Sequence, residues 1–149
     1  MRYDGQTSDE ADSVIEEFEQ VWRAQSDGKS IPSAQSIDPG EIARLMPHLM
    51  LLEVVSGGIR PHFRTRLVGA EHREAAGVLH AGDILDEIDR EHAERAREAA
   101  ATGRPVYWRA EKAAGAAACE FPFASDGENV DRVISVIVCN VKKGGFFRA

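Results

Sequence analysis

The chain has 149 residues, of which 43% are hydrophobic and 29% are charged, a balance typical of one globular domain with a sizeable core. Its net charge of −7, from 18 basic and 25 acidic side chains, argues against nucleic-acid binding, which requires concentrated positive charge. No stretch approaches the ~20 apolar residues of a membrane span, and the acidic start is unlike a signal peptide. These features predict a cytoplasmic protein.

The first predicted element is an amphipathic helix. Residues 1–12 are acidic without apolar periodicity, which predicts a disordered N-terminus. From there on, apolar residues recur at helical spacing, and Ser13 with Glu16 makes a capping box. We expect this apolar stripe to be the surface that contacts a partner protein or a second copy of the chain. It consists of Val14, Ile15, Phe18, Val21 and Trp22.

A short helix is predicted over residues 38–46. Asp38 can cap it, Pro39 suits its first position, and Pro47 disfavours helical geometry at Met46. About two helical turns are too few to be stable alone. The sequence therefore predicts that this helix is held against the strand that follows it.

Strands and helices alternate over the rest of the chain. Residues 49–55 and 62–68 flank a Gly-Gly turn and predict a hairpin, in which Phe63, Thr65 and Leu67 share one face. Short helices are predicted at residues 70–76 and near residue 85, followed by a longer helix over residues 89–102. Three strands are then predicted, at residues 106–112, 117–124 and 129–141.

The last predicted strand is apolar at nearly every position, which predicts that both of its faces are covered. Two hairpins around a helical middle predict an α+β fold, an antiparallel sheet with short helices on one face. We expect one domain over residues 13–141, followed by a C-terminal tail, residues 142–149.

Several strings in this chain resemble a family. Residues 31–54 contain P-S-x-x-x-I-D-P and L-x-P-H, residues 63–69 are "FRTRLVG", and residues 122–131 are "PFASDGENVD". Together with the Trp-containing first helix, they resemble the single-domain bacterial PAS proteins, over about residues 14–141. The chain departs from the family at Val78 and Leu79, where Arg and Asp are usual, and at Thr65, where Tyr is common.

The resemblance implies a PAS fold, with five antiparallel strands in the order 2-1-5-4-3 and a ligand cavity between sheet and helices. Phe121 and Phe123 share a face and would form its floor, with Ile134 or Val136 opposite. Arg66 could clamp an anion there, or pair with Asp83, Asp86 or Glu87. The predicted ligand-binding set is Phe63, Thr65, Arg66, Trp108, Phe121, Phe123, Ile134 and Val136.

No cofactor or metal is predicted. Some PAS sensors hold haem through a histidine before the third strand, but His92 lies in a highly charged helix and is expected to be solvated beside Glu91 and Glu94. The flavin-binding N-C-R-F-L-Q type of segment is absent. The histidines lack the paired spacing of zinc ligands, and Cys119 is expected opposite Val136 rather than Cys139, so no disulfide is predicted.

The resulting hypothesis is a PAS sensory or adaptor module without catalysis. It would bind a small apolar or amphipathic ligand, a partner protein such as a histidine kinase, or both, and it is expected to form a homodimer. Two alternatives remain open at this point. One is a small cone-fold isomerase or dehydratase, with Glu53, Glu111 or Glu120 as its acid beside a buried histidine. The other is an interaction domain that binds no small ligand.

Overall fold

A computed structural model describes residues 9–26, 30–76, 80–109 and 116–139. Its strands form one open antiparallel sheet in the order β2-β1-β5-β4-β3, with β5 in the centre. None of the described helices combines the length and the apolar character needed to cross a membrane. The elements are α1 (Asp9–Ser26), a 3-10 turn (Ala34–Ser36), α2 (Pro39–Ile42), a 3-10 helix (Ala43–His48), β1 (Leu49–Val55), β2 (His62–Val68), α3 (Ala70–Ala76), α4 (Leu85–Ile88), α5 (Arg90–Thr102), β3 (Val106–Arg109), β4 (Ala116–Phe123) and β5 (Arg132–Cys139).

Helix α1 begins at Asp9, four residues before the predicted start at Ser13. The expectation of disorder over residues 1–12 was therefore wrong for residues 9–12, and residues 1–8 lie outside the described part of the chain. An acidic sequence is favourable at a helix N-terminus because of the helix dipole. Ser13 and Glu16 therefore lie inside α1 rather than at its N-terminal cap.

Helix α1 packs on β4 and β5 through the predicted apolar stripe. Phe18 is fully buried, and its ring centroid lies 5.0 Å from that of Phe121 and 6.3 Å from that of Phe123. The indole nitrogen of Trp22 donates a 2.7 Å hydrogen bond to the carbonyl of Pro122 in β4. Burying this aromatic surface ties α1 to the sheet of its own chain.

The helical segment 34–48 leads into β1 on the same face of the sheet as α1. Asp38 caps α2 by accepting a hydrogen bond from the amide of Gly40, as predicted. The chain then tightens into a 3-10 helix that continues through Pro47 to His48, beyond the predicted end at Met46. A Cβ atom on Gly69 would lie 2.4 Å from the carbonyl oxygen of Met46, so only glycine lets β2 end this close to the segment.

A bulge in β2 changes which residues share a face. The register passes from the pair Leu51–Leu67 to the pair Leu52–Thr65, which leaves Arg66 as an extra residue. Beyond a bulge, the alternation of side chains reverses. Leu67 therefore lies on the α1 face, and the predicted face shared by Phe63, Thr65 and Leu67 was wrong for Leu67.

Helices α3, α4 and α5 cover the opposite face. Three alanines of α5, Ala93, Ala96 and Ala99, are buried, and their small side chains let the helix lie close to the sheet. Asp89 caps α5 at its start, and Gly103 ends it with φ of +69°. Strand β5 is thus covered on both sides, with Val133 buried on the helical face and Val136 on the α1 face, as its apolar sequence predicted.

Candidate functional site

Two regions on opposite faces of the sheet are candidates for a functional site. On the helical face lies a buried group of polar side chains, which we call the polar cluster: His72, His92, Arg95, Glu120 and Ser135. On the α1 face lies an apolar groove between the sheet and the helical segment 34–48.

The polar cluster is built around two neighbouring strand residues. Glu120 on β4 is paired with Ser135 on β5, and both are fully buried. The Ser135 hydroxyl donates to Glu120 Oε2 at 3.1 Å. His92 of α5 places Nε2 3.0 Å from Glu120 Oε1 and 3.0 Å from Ser135 Oγ. These contacts tie α5 to the two central strands.

A second histidine and an arginine complete the polar cluster. The ring of His72, on α3, stacks on that of His92 with centroids 6.1 Å apart, and its Nε2 lies 3.0 Å from the backbone oxygen of Ser135. The Nε of Arg95 lies 3.9 Å from Glu120 Oε2, and its guanidinium covers the ring of Trp108 at 4.6 Å. The cluster therefore connects α3 and α5 to the central strands, and Arg95 also contacts Trp108 on the edge strand β3.

The electrostatics of the polar cluster favour an ionised Glu120 and a neutral His72. Burial by itself raises the pKa of Glu120, but the nearby His92 and Arg95 outweigh it, and the pKa falls below its usual value. Burial, together with the neighbouring His92, lowers the pKa of His72 to about 3. At neutral pH, Glu120 is an acceptor of hydrogen bonds and His72 carries no charge.

The geometry of the polar cluster differs from that of an activated serine. In a serine–histidine–acid triad, the serine and the acid contact different nitrogens of the imidazole. Here Ser135 and Glu120 both contact Nε2 of His92. The hydroxyl is also fully buried, so a substrate could not reach it without displacing a helix.

His92 was predicted to be solvated beside Glu91 and Glu94, and this prediction was wrong. Only 6% of the residue is exposed. It lies on the same face of α5 as the buried alanines, and the helix is charged on its other faces. The many charged residues of α5 suggested that the whole helix is solvated, although one of its faces is buried. Glu120 and Ser135 are polar residues within otherwise apolar strands. Their presence in the sequence indicates that each needs a buried polar partner, which in the structure is His92.

The apolar groove has a volume of about 250 Å³ and is lined only by apolar residues. Its floor is a row across three neighbouring strands, because Leu51 pairs with Leu67 on one side and with Ile134 on the other. Ile37, Ile42 and Met46 of the helical segment form the wall. Leu67, on the edge strand, is 38% exposed, so the groove opens at the edge of the sheet.

The predicted ligand-binding residues do not form one site. Phe63 and Thr65 are buried on the helical face, where the Thr65 hydroxyl donates to the carbonyls of His80 and Asp83 at 2.7 and 3.1 Å. Trp108 also lies on that face, under Arg95. The predicted cavity floor lies instead on the α1 face, since Phe121, Phe123 and Val136 are buried beneath α1. Of the predicted set, only Ile134 lines the groove.

Arg66 of β2 lies beside a different acid from those predicted. Arg66 is exposed, and its Nη1 lies 3.8 Å from Oε1 of Glu53 rather than beside Asp83, Asp86 or Glu87. Arg64 lies 3.4 Å from the same oxygen. Asp86 is paired with Arg97 of α5. Asp86 also accepts a 2.8 Å hydrogen bond from the backbone N–H of Phe63, so α4 is tied to β2 directly and to α5 through Arg97.

The predicted partner surface is largely occupied within the chain. Ile15, Phe18 and Trp22 are buried against β4 and β5, while Val14 and Val21 are only partly buried at the margin of the same core. The pairing of Cys119 with Val136 is confirmed. Within the described ranges, no group of three or more His, Cys, Asp or Glu side chains could hold a metal ion.

Comparison with known proteins finds no matching protein-family model, no matching curated protein and no matching solved structure.

Proposed function

We propose that this chain is a PAS-type sensory or adaptor module without catalysis, which binds a small apolar or amphipathic ligand in the apolar groove. The observation that carries the proposal is the groove itself, an open space lined only by apolar side chains beside a buried apolar core. Binding sites for small molecules are commonly concave and mostly apolar. The strand order β2-β1-β5-β4-β3 and the quoted sequence strings support the PAS assignment.

The polar cluster supports a binding role over an enzymatic one. A general acid in an apolar pocket needs a raised pKa to hold its proton at neutral pH. The pKa of Glu120 is lowered, and both of its oxygens have partners in the cluster. The pairing of a buried histidine with a buried acid therefore serves to hold helices on the sheet.

The helical segment 34–48 would transmit the effect of a ligand bound in the groove to the surface of the molecule. Ile42 and Met46 line the groove, and Arg44 between them forms an ion pair with Glu17 of α1 on the outer side. A ligand changes the state of a protein only if it binds two arrangements with different affinity. We propose that the two arrangements differ in how the helical segment packs against α1.

The resulting signal would pass to another protein chain. Val14 and Val21, at the margin of α1, are the remaining part of the predicted partner surface, and we propose a homodimer or a contact with a signalling protein such as a histidine kinase there. Size-exclusion chromatography with light scattering, on Val14→Glu and on the unmodified chain, tests the homodimer. An unmodified chain that is monomeric at all concentrations would refute it.

Titration of the full chain with decanoate, monitored by calorimetry, tests the proposed groove. Leu67→Glu places a charge beside the apolar floor and should weaken binding at least about tenfold, since a charge is costly to bury unpaired. Ile59→Glu is the matched control, because Ile59 is fully exposed in the β1–β2 turn and does not line the groove. Equal affinities for both variants, or no binding to the unmodified chain, would overturn the proposal.

A further inference from the structure

Charged side chains lie beside the groove on the same face of the sheet. Leu51 of β1 belongs to the groove floor, and Glu53 points to the same side because side chains alternate along a strand. Glu53 is paired with Arg64 of β2 on one side and with Arg132 of β5 on the other. Directly paired residues of neighbouring strands share a face. These three residues therefore form a charged row about 7 Å from the floor, two positions along the strand.

Arg66, the extra residue of the β2 bulge, joins this row. Its Nη1 lies 3.8 Å from Oε1 of Glu53, and Nη1 of Arg64 lies 3.4 Å from the same oxygen. In the chain, Arg66 directly precedes Leu67, which lines the groove. The bulge thus places a cationic side chain and an apolar one next to each other on the α1 face. We call Arg64, Arg66 and Arg132 the arginine row.

The arginine row carries more positive charge than its acids neutralise. Nη1 of Arg132 lies 3.9 Å from Oδ2 of Asp131. Among the described residues, the ion pairs of the row therefore set three guanidinium groups against two carboxylates, those of Glu53 and Asp131. The three arginine side chains are 41%, 58% and 35% exposed in chain order. In a chain of net charge −7, this is a local, accessible excess of positive charge beside an apolar groove.

We propose that the ligand of the groove is a free, single-chain monocarboxylate, whose apolar chain lies in the groove and whose head contacts the arginine row. The inference rests on the proposed binding role of the groove and specifies the class of ligand. Guanidinium groups match carboxylates in both charge and hydrogen-bond geometry. The groove opens at the edge strand, where Leu67 is exposed and where Arg64 and Arg66 lie. Its volume of about 250 Å³ is below the range of about 300–1,000 Å³ for drug-sized ligands, which suits one narrow chain.

Titrations of the full chain with decanoate and with decan-1-ol test the class of ligand. The two probes have apolar chains of the same length and differ in the charge of the head. A charged head is more costly to remove from water than a hydroxyl, so without the arginine row the alcohol would bind more tightly. With it, decanoate should bind at least about threefold more tightly than decan-1-ol, and added salt should weaken only the binding of decanoate.

Substitutions in the row sharpen this test. Arg66→Gln should weaken decanoate binding about three- to fivefold and leave decan-1-ol binding unchanged. Arg60→Gln is the matched control, because its side chain is 59% exposed, is paired with Glu94 and does not line the groove. Glu53→Gln removes the acid that competes for the row and should tighten decanoate binding about two- to fivefold. A gain in affinity cannot come from a misfolded variant.

The outcomes separate this inference from the proposed function. Decan-1-ol bound as tightly as decanoate by the unmodified chain would overturn the carboxylate class and leave the binding role of the groove intact. The same holds if Arg66→Gln binds decanoate as Arg60→Gln does and Glu53→Gln brings no gain. Binding of neither probe to the unmodified chain would refute the proposed function, and the inference with it.

Discussion

The two faces of the sheet stabilise the fold in different ways. The α1 face is apolar throughout its core, from Phe18 to Phe121 and Phe123, and it leaves the groove open beside that core. The helical face buries a smaller apolar group around Phe63 and Leu85 and adds the polar cluster. Apolar packing tolerates a space whose lining makes no hydrogen bonds, whereas a buried charge needs every partner in place. We propose that the ligand binds in the groove of the α1 face rather than within the polar cluster.

The largest expected effect on stability comes from the core of the α1 face. Phe18→Ala should lower the free energy of unfolding by about 3–5 kcal/mol, because it removes a fully buried ring and leaves a cavity. Urea unfolding followed by circular dichroism measures this loss. Val21→Ala, at the partly buried margin, is the control and should cost much less. Similar losses for both variants would mean that α1 does not depend on its buried stripe.

Substitutions in the polar cluster should change the free energy of unfolding in a non-additive way. Glu120→Leu should cost about 3–5 kcal/mol, because it leaves His92 without its buried hydrogen-bond partner and Arg95 without its buried counter-charge. Glu120→Leu combined with His92→Leu should cost clearly less than the sum of the two single changes, since it removes both members of the pair. A urea-unfolding cycle over the four proteins measures the coupling. Strict additivity would contradict a coupled cluster.

The pH dependence of stability should come from the helical face. The unfolded chain protonates His72 below its usual pKa of 6.5, whereas the folded chain does not until pH falls to about 3. The unfolded state therefore binds more protons in this range, and stability is full above pH 6.5 and falls as pH drops towards 3. One such group gives a slope of up to about 1.4 kcal/mol per pH unit.

Unfolding free energies measured from pH 7 to pH 4.5 test this expectation. His72→Leu should flatten the dependence, and His80→Asn, a change of an exposed histidine, should not. Glu120, with its lowered pKa, adds to the loss only below its ordinary value of 4.5. An unchanged slope in His72→Leu would show that His72 is not the group responsible.

Gly69 lies directly against the backbone of Met46 and Pro47, in the helical segment that forms the wall of the groove. Gly69→Ala places a Cβ against the carbonyl oxygens of Met46 and Pro47 and should cost about 1–3 kcal/mol, as overpacking does. The displaced helical segment should also weaken decanoate binding, measured by calorimetry. The control is Gly40→Ala, whose Cβ would meet only the side chain of Asp38, at 3.4 Å. A stable Gly69→Ala chain with normal binding would contradict the close approach.

Much of the fold could be predicted from the sequence, because periodicity and turn residues are local. The stripe of α1, the cap at Asp38 and the doubly covered β5 followed from residue spacing alone. Alternation along a strand shows which side chains share a face, but not which helix covers that face. For this reason, Phe121 and Phe123 were grouped correctly and assigned to the wrong side of the sheet.

The candidate site was harder to predict because it depends on contacts between distant segments. The bulge at Arg66 turns Leu67 into the groove, and an extra residue in one strand leaves no local mark in the sequence. The burial of His92 depends on how α5 rotates against β4 and β5. That rotation is set by three small alanines together with Glu120 and Ser135, which are far away in the chain.

Methyl NMR mapping of decanoate on the full chain tests the central contrast between the two faces most directly. Leucine, isoleucine and valine methyl groups report on both faces in one experiment. The account predicts that decanoate moves the signals of Leu51, Leu67 and Ile134 and leaves those of Leu52, Leu85 and Val133 in place. Shifts centred on Leu52, Leu85 and Val133 would place the ligand among the helices and contradict the account.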